Sequence, residues 1–201
     1  MALPDPFDAT DCAKDLDRRV NPPSDLSATK TPAALVQDCR SATGPCSFVY
    51  GGLDVTIDSD QAWFEPVKPL VAGNRSVRWT MLCSRDRISS RRACSLSPTA
   101  GGGGFFIVYA NGRRQFLVDT NERGYPNSLA TVRIDGNPAQ SVREGQPFSV
   151  QMSTTLLRAM RAGRVVATRY FDWPYNHAHD IETPLEKFSS IIQFADAVAT
   201  G

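Results

Sequence analysis

FFIVYANGRRQFLVD, residues 105–119, consists of an apolar run at 105–110, the pair Asn111-Gly112 and a second segment at 113–119 that contains Phe116-Leu117-Val118. The first run is rich in aromatic and β-branched residues, which favour strands. Asn-Gly supplies the two residues with positive φ that a type I′ turn requires, and such a turn joins neighbouring antiparallel strands. The stretch therefore predicts a β-hairpin within an antiparallel sheet.

Further strand signals lie on both sides of this hairpin. Apolar and polar residues alternate over residues 53–58, 77–83 and 148–152, and residues 132–136 combine a short apolar run with an Asp-Gly turn signal. Alternation of this kind is typical of half-buried strands. We expect a mainly β fold, an antiparallel β-sandwich or open barrel, with two helices late in the chain.

The two late helices are predicted from the spacing of apolar residues. Residues 154–162 place apolar side chains on one side, and Gly163 is positioned to end that helix. The second helix is expected to begin after Thr183 as N-cap, with Pro184 at its first position and Glu186 completing a capping box. Both helices are expected to cover an open end or edge of the sheets. The apolar stripe of the second helix comprises Leu185, Phe188, Ile191, Ile192, Ala195 and Val198.

The chain length of 201 residues suits one domain, or one domain with an extension. Residues 1–46 are rich in Pro, Asp and Ser, which predicts a Cys-containing N-terminal extension that is mostly coil, with at most a short helix at residues 12–20. Residues 47–201 carry the strand and helix signals and are expected to form the β-sandwich-like domain.

The chain has five cysteines, four of which form close pairs around loops. Such pairs suit disulfides, which predicts bonds between Cys39 and Cys46 and between Cys83 and Cys94. Cys12 is then the expected odd thiol, although it could equally pair with Cys39 or Cys46. The alternatives are unpaired cytoplasmic thiols or a zinc site, and zinc is disfavoured because neither pair has the spacing of a zinc knuckle.

The cysteine pairs also bear on the compartment. No apolar run reaches the length of a membrane span, and residues 1–30 contain no apolar core of a signal peptide. The protein is therefore expected either to be cytoplasmic or to begin after a removed signal peptide. Disulfides persist mainly in oxidising compartments, which favours a bacterial periplasmic or secreted protein.

Arginines cluster between the second pair of cysteines. The whole chain carries a net charge of +1, so its bulk charge does not indicate a polyanionic partner. A basic loop closed by a disulfide, in contrast, loses little freedom when it binds an anion. We expect it to bind an anionic envelope component or a protein, the alternative being a solvated hairpin tip. No aromatic residue lies in the loop for base stacking, so no specific nucleic-acid partner is expected. The candidate binding residues are Arg85, Arg87, Arg91 and Arg92.

The only two histidines of the chain lie in the sequence His177-Ala-His179-Asp180. Two imidazoles next to a carboxylate could hold a divalent metal ion, with Asp172 or Glu182 completing the ligand set. The alternative is an exposed loop. The chain has no Gly-x-Ser-x-Gly nucleophile elbow, and the glycines at 101–104 are not followed by the Lys-Ser/Thr of a phosphate-binding loop. We therefore expect no catalytic residues and no cofactor.

Trp79-Thr-Met-Leu-Cys83, ten intervening residues and then Cys94-Ser-Leu resemble the invasion-associated locus B family of secreted or periplasmic bacterial proteins. The resemblance covers roughly residues 75–198; unlike many members, the chain has no cysteine pair in residues 132–163. It implies a non-enzymatic β-sandwich of the bacterial envelope, linked in some members to host-cell association. It also implies that Cys83 and Cys94 form a disulfide and that Trp79 packs in the core near it. We expect an exported binding or interaction domain; the alternative is a periplasmic metal-binding protein or metal-dependent enzyme using His177 and His179.

Overall fold

Two antiparallel sheets of seven and four strands form most of the molecule. The computed structural model describes residues 25–67, 77–85, 91–98, 104–119 and 124–200. The predicted mainly β fold with two late helices is confirmed, and the arrangement is sandwich-like and not a closed barrel. None of the helices in these described segments is both long and apolar enough to cross a membrane.

The larger sheet is a meander in which each strand pairs with the next one in sequence. Asn111 and Gly112 have φ values of 52° and 70°, so the predicted type I′ turn joins the sixth and seventh strands. Buried and half-buried residues alternate along the second strand, which gives this sheet one core-facing side. Its strands are β1 (Cys46–Tyr50), β2 (Leu53–Asp58), β3 (Gln61–Pro66), β4 (Trp79–Arg85), β5 (Arg92–Pro98), β6 (Gly104–Ala110) and β7 (Arg113–Asp119).

The smaller sheet has the strand order β11-β10-β8-β9 and meets the larger sheet at β6 and β7. Gly104, at the start of β6, has a φ of 107°, and a Cβ atom there would lie 3.4 Å from Cγ2 of Ile181. The positive φ therefore favours glycine here, while the Cβ distance itself is an ordinary van der Waals contact between the sheets. The strands are β8 (Leu129–Ile134), β9 (Gln140–Arg143), β10 (Val165–Phe171) and β11 (Ala178–Pro184).

The described residues also form three α-helices: α1 (Pro32–Arg40), α2 (Val150–Ala162) and α3 (Phe188–Thr200). The Phe194 ring lies 5.6 Å from that of Phe48 and 6.2 Å from that of Phe64, and the Phe188 ring lies 5.2 Å from Trp79. Helix α3 thus covers the core-facing side of the larger sheet and not the open end or edge that we expected. All six residues of its predicted apolar stripe are buried.

Helix α1 lies within the segment predicted to be coil. Thr31 is its N-cap, accepting a hydrogen bond from the Ala34 amide, and Pro32 occupies the first turn. Leu35 and Val36 are buried in the same core as the strands. Residues 25–46, the described part of the predicted extension, therefore pack onto the main domain, whereas the helix considered at residues 12–20 lies outside the described residues.

Two predicted boundaries are wrong. Residues 148–152 do not form a strand, because Ser149 caps α2 by accepting a hydrogen bond from the Met152 amide. Thr183 and Pro184 do not start a helix; they end β11, where Thr183 pairs with Val166 of β10. The local capping signal is overridden because this segment pairs with a strand, and α3 begins only at Phe188.

Candidate functional site

Both predicted disulfides are present. Cys83 and Cys94 are register partners in β4 and β5 with their Cα atoms 4.0 Å apart. Cys39 and Cys46 connect the end of α1 to the start of β1, with a Cα separation of 5.4 Å. Cys12 lies outside the described residues. Two disulfides indicate that the protein folds in an oxidising environment.

The Cys83–Cys94 disulfide places two arginines side by side. Arg85 and Arg92 are register partners two residues beyond the cysteines, on the same side of the sheet as the disulfide, since side chains alternate along a strand. Arg91 is exposed and donates a hydrogen bond from Nη1 to Asn111 Oδ1 over 3.3 Å. Arg87 lies outside the described residues. The described arginines of the predicted cluster therefore lie at one end of the larger sheet.

Arg92 is the most unusual member of this cluster. Its side chain is only 15% exposed, and Nε and Nη2 are buried without a hydrogen-bond partner among the described residues. Nη2 lies 3.3 Å from Asp60 Oδ1, but this ion pair lacks hydrogen-bond geometry. Burial lowers the pKa of Arg92; Asp60 opposes this change, while Arg40 and Arg85 add to it. A buried guanidinium without hydrogen bonds is energetically costly and calls for an explanation.

A cleft of about 270 Å³ opens beside Arg92, between the β6–β7 turn and the last turn of α3. We call it the arginine cleft. Of the four arginines predicted from the sequence, Arg92 lines this cleft, Arg85 and Arg91 are not in its lining, and Arg87 lies outside the described residues. The sequence did not indicate the arginines that β7 contributes, because their meeting depends on the packing of α3 against the sheet. Its lining includes Arg92, Tyr109, Arg113, Arg114, Asp196 and Thr200.

Asp196 is the carboxylate within this lining, and it already has partners. Arg114 Nη1 lies 3.0 Å from both carboxylate oxygens, and Arg161 Nη2 lies 3.7 Å from Oδ2. Burial, and then the negative charge of Asp196, raise the pKa of the Tyr109 hydroxyl. Outside this lining, Arg40 donates a hydrogen bond to the Val198 carbonyl in the last turn of α3 over 3.0 Å. Arginines thus outnumber carboxylates around the cleft in the described part of the chain.

The structure separates the three residues of the alternative metal site. Asp180 faces outward from β11 and accepts two hydrogen bonds of 2.6 Å from Arg169. His179 is on the opposite side of that strand, stacked on Tyr170, with Nε2 3.0 Å from Asp172 Oδ2. His177 is exposed, with its ring 6.0 Å from Tyr175. Within the described segments, no three His, Cys, Asp or Glu side chains are grouped so that they could hold a metal ion.

Comparison of the chain with protein-family models, curated proteins and solved structures gave no match.

Proposed function

We propose that this protein is a non-enzymatic, exported binding domain of the bacterial envelope that holds an anionic group in the arginine cleft. The observation that carries the proposal is Arg92, a buried guanidinium whose Nε and Nη2 have no hydrogen-bond partner among the described residues. Because Nε and Nη2 are themselves buried, an anion acts on Arg92 through its charge and through the part of the side chain that lines the cleft, and it adds to the negative charge of Asp60 and Asp196. Binding of such a ligand therefore also stabilises the folded protein.

Export to the periplasm or the exterior is supported by two features. The two disulfides require an oxidising environment to persist. The residues around Trp79 and the Cys83–Cys94 pair resemble the invasion-associated locus B family of secreted or periplasmic proteins, and Trp79 is fully buried as that resemblance implies.

The chemistry of the cleft favours phosphate or sulfate groups and carboxylates. Guanidinium groups bind such anions through two parallel hydrogen bonds, which are about twice as strong as neutral ones. Arg113 follows the β6–β7 turn, is exposed and lines the cleft, so its side chain is accessible to a ligand bound there. The aromatic residue in the lining, Tyr109, is buried and offers no face for base stacking, which disfavours sequence-specific nucleic-acid binding. An anionic envelope component or an acidic protein surface is the partner that fits.

Heparin is a suitable polyanionic probe. Two variants with the same change in net charge distinguish binding in the cleft from binding that depends only on the charge of the whole protein. Arg92→Gln/Arg113→Gln removes two cleft arginines, whereas Arg133→Gln/Arg164→Gln removes two exposed arginines of the smaller sheet. We expect the first variant to bind heparin about tenfold or more weakly, because charge-assisted hydrogen bonds contribute roughly 1.5–3 kcal/mol each. The second variant should retain the affinity of the unaltered protein at the same ionic strength.

A thermal unfolding series with tripolyphosphate gives an independent measurement. The unaltered protein should unfold at a higher temperature as the tripolyphosphate concentration rises, and the cleft variant should not respond. Equal losses of heparin binding in the two charge-matched variants would show that only net charge matters, and the proposal would be abandoned.

A further inference from the structure

The turn that joins β10 to β11, residues 172–177, carries two large aromatic side chains on the surface. Trp173 is 50% exposed and Tyr175 is 74% exposed. Exposed apolar residues scattered singly are ordinary, whereas two exposed aromatic rings within three residues of one turn make that turn a candidate binding surface. The other large apolar residues that are exposed in the described segments are aliphatic: Val67, Leu82 and Leu129.

Hydrogen bonds hold this turn in one conformation. The Asp172 amide donates to the His177 carbonyl, and the Asn176 amide donates to the Asp172 carbonyl, over 3.1 and 2.9 Å. The side chain of Asp172 accepts a further hydrogen bond from the His177 amide over 3.0 Å. A turn fixed in this way loses little conformational entropy when a ligand binds.

A neighbouring segment supports the exposed tryptophan. The Tyr125 amide donates to the Phe171 carbonyl over 2.9 Å, and the Tyr125 ring lies 5.7 Å from that of Trp173 at an angle of 35°. Ser128 in turn donates a hydrogen bond from its hydroxyl to the Tyr125 carbonyl over 2.7 Å. Two segments of the chain therefore fix the orientation of the Trp173 ring while half of its surface stays in solvent.

We propose that residues 172–177 form a carbohydrate-binding site in which Trp173 and Tyr175 stack against the apolar face of an uncharged pyranose ring. Sugar rings with equatorial hydroxyls present a face of C–H groups and an edge of hydroxyls. Aromatic rings bind the C–H face, since they are large, apolar and rigid. The polar groups of the turn, Asp172, Asn176 and His177, provide hydrogen-bond donors and acceptors for the hydroxyl edge.

The charge of the turn favours a different ligand from the anion proposed for the arginine cleft. Asp172 is the acidic group of the turn, and its contact with His179 lowers its pKa, so that it is ionised at neutral pH. A carboxylate repels phosphate and sulfate but accepts hydrogen bonds from hydroxyl groups. The two sites share no residue, since the lining of the arginine cleft contains none of residues 172–177.

Tryptophan fluorescence can test this site with the full chain. Of the three tryptophans, Trp79 is fully buried, Trp63 is half-buried and Trp173 is the most exposed. Cellotetraose and chitotetraose serve as probes because their pyranose rings are flat and uncharged, and mannitol serves as a polyol without a ring. We expect either tetrasaccharide to shift the emission to shorter wavelength in a saturable way, and mannitol to have no effect.

Matched variants locate the binding to this turn. Tyr175→Ala should weaken tetrasaccharide binding about tenfold, as expected for loss of one stacked ring, and Trp173→Phe should abolish the fluorescence change. Leu129→Ala, which shortens an exposed aliphatic residue, and the cleft variant Arg92→Gln/Arg113→Gln should bind sugar normally. The failure of this site and the failure of the anion site are thereby distinguishable.

Two outcomes would overturn the carbohydrate site. One is the absence of saturable binding by both tetrasaccharides at millimolar concentration, measured by fluorescence and by saturation-transfer NMR. The other is concentration-dependent self-association in sedimentation velocity that Tyr175→Ala removes and sugars do not affect, which would assign the aromatic patch to a contact with a second copy of the chain.

Discussion

Two arginines, Arg169 on the smaller sheet and Arg92 on the larger one, show opposite combinations of burial and pairing. Arg169 is 53% exposed, yet its Nε and Nη2 donate to the two carboxylate oxygens of Asp180 over 2.6 Å each. Arg92 is 15% exposed, and the same two nitrogens donate no hydrogen bond to any described residue. Pairing is thus best where water would satisfy the group anyway and poorest where water is excluded.

Strand register explains the difference. Arg169 is the register partner of Asp180 on β11, so a carboxylate stands beside it on the same side of the sheet. The register partner of Arg92 is Arg85, and the Cys83–Cys94 disulfide fixes that pairing. Unfavourable features retained in a folded protein concentrate at functional sites, where a ligand compensates for them. This contrast is why we place the anion site at Arg92 and regard the Arg169–Asp180 pair as structural.

The largest expected effect follows from removing the disulfide that fixes the Arg85–Arg92 pair. Cys83→Ala/Cys94→Ala should lower the free energy of unfolding by roughly 3 kcal/mol, because the bond closes a loop with a sequence separation of 11. Urea unfolding measures this change. Cys39→Ala/Cys46→Ala, with a separation of 7, should cost a few tenths of a kcal/mol less by the same entropy argument. Unchanged stability in the first variant would mean that hydrogen bonding alone fixes the register of β4 and β5.

A smaller effect, of opposite sign at the two arginines, comes from replacing each guanidinium with an apolar side chain of similar length. Arg92→Met should leave the protein as stable or about 1 kcal/mol more stable, because it removes buried nitrogens that lack hydrogen bonds. Arg169→Met should cost up to about 1 kcal/mol, the usual contribution of an exposed ion pair.

Chemical denaturation of both variants at the same ionic strength tests the comparison. Arg92→Met should also lose heparin binding, which would show that the buried charge is kept for function at the expense of stability. If Arg92→Met instead lowered the free energy of unfolding by more than about 2 kcal/mol, Arg92 would be a residue that stabilises the fold and not one kept for ligand binding.

The predictions from sequence succeeded where structure is determined locally. The β6–β7 hairpin follows from Asn111-Gly112, and both disulfides follow from short cysteine spacings. Strand β11 was missed because residues 178–184 are mostly polar, and they form a strand only through pairing with β10. Helix α1 was missed although Thr31-Pro32 is a start signal, since the Pro- and Asp-rich surroundings suggested coil.

The arginine cleft could be predicted only in part for a related reason. Cys83 and Cys94 bring Arg85 and Arg92 together within one hairpin, which the sequence pattern indicates. Arg114 and Asp196 come from separate parts of the chain and meet there only because α3 packs across the larger sheet. The aromatic turn at residues 172–177 has a visible sequence signal, Trp173-Pro174-Tyr175, but the sequence does not show that both rings remain exposed.

The smallest expected effect concerns the titration of Asp180, the register partner of Arg169. The hydrogen bonds from Arg169 lower the pKa of Asp180 below its ordinary value of 3.8. A carboxyl group whose pKa is lowered on folding stabilises the protein above its unfolded pKa, and this contribution is lost as the pH falls through the folded pKa. The effect on stability is therefore confined to acidic pH, below about 4.

NMR titration of the side-chain carboxyl carbons measures it directly. In the unaltered protein the Asp180 carboxyl should titrate below pH 3.8, and in Arg169→Gln its midpoint should move up towards that value. Asp172 serves as an internal control, since its lowered pKa depends on His179 and should be unchanged in the variant. If Asp180 titrated identically with and without Arg169, the 2.6 Å hydrogen bonds would not persist in solution. The contrast between Arg169, which is hydrogen-bonded to Asp180, and Arg92, whose Nε and Nη2 donate to no described residue, would then lose its first half, and the proposed anion site would rest on the burial of Arg92 alone.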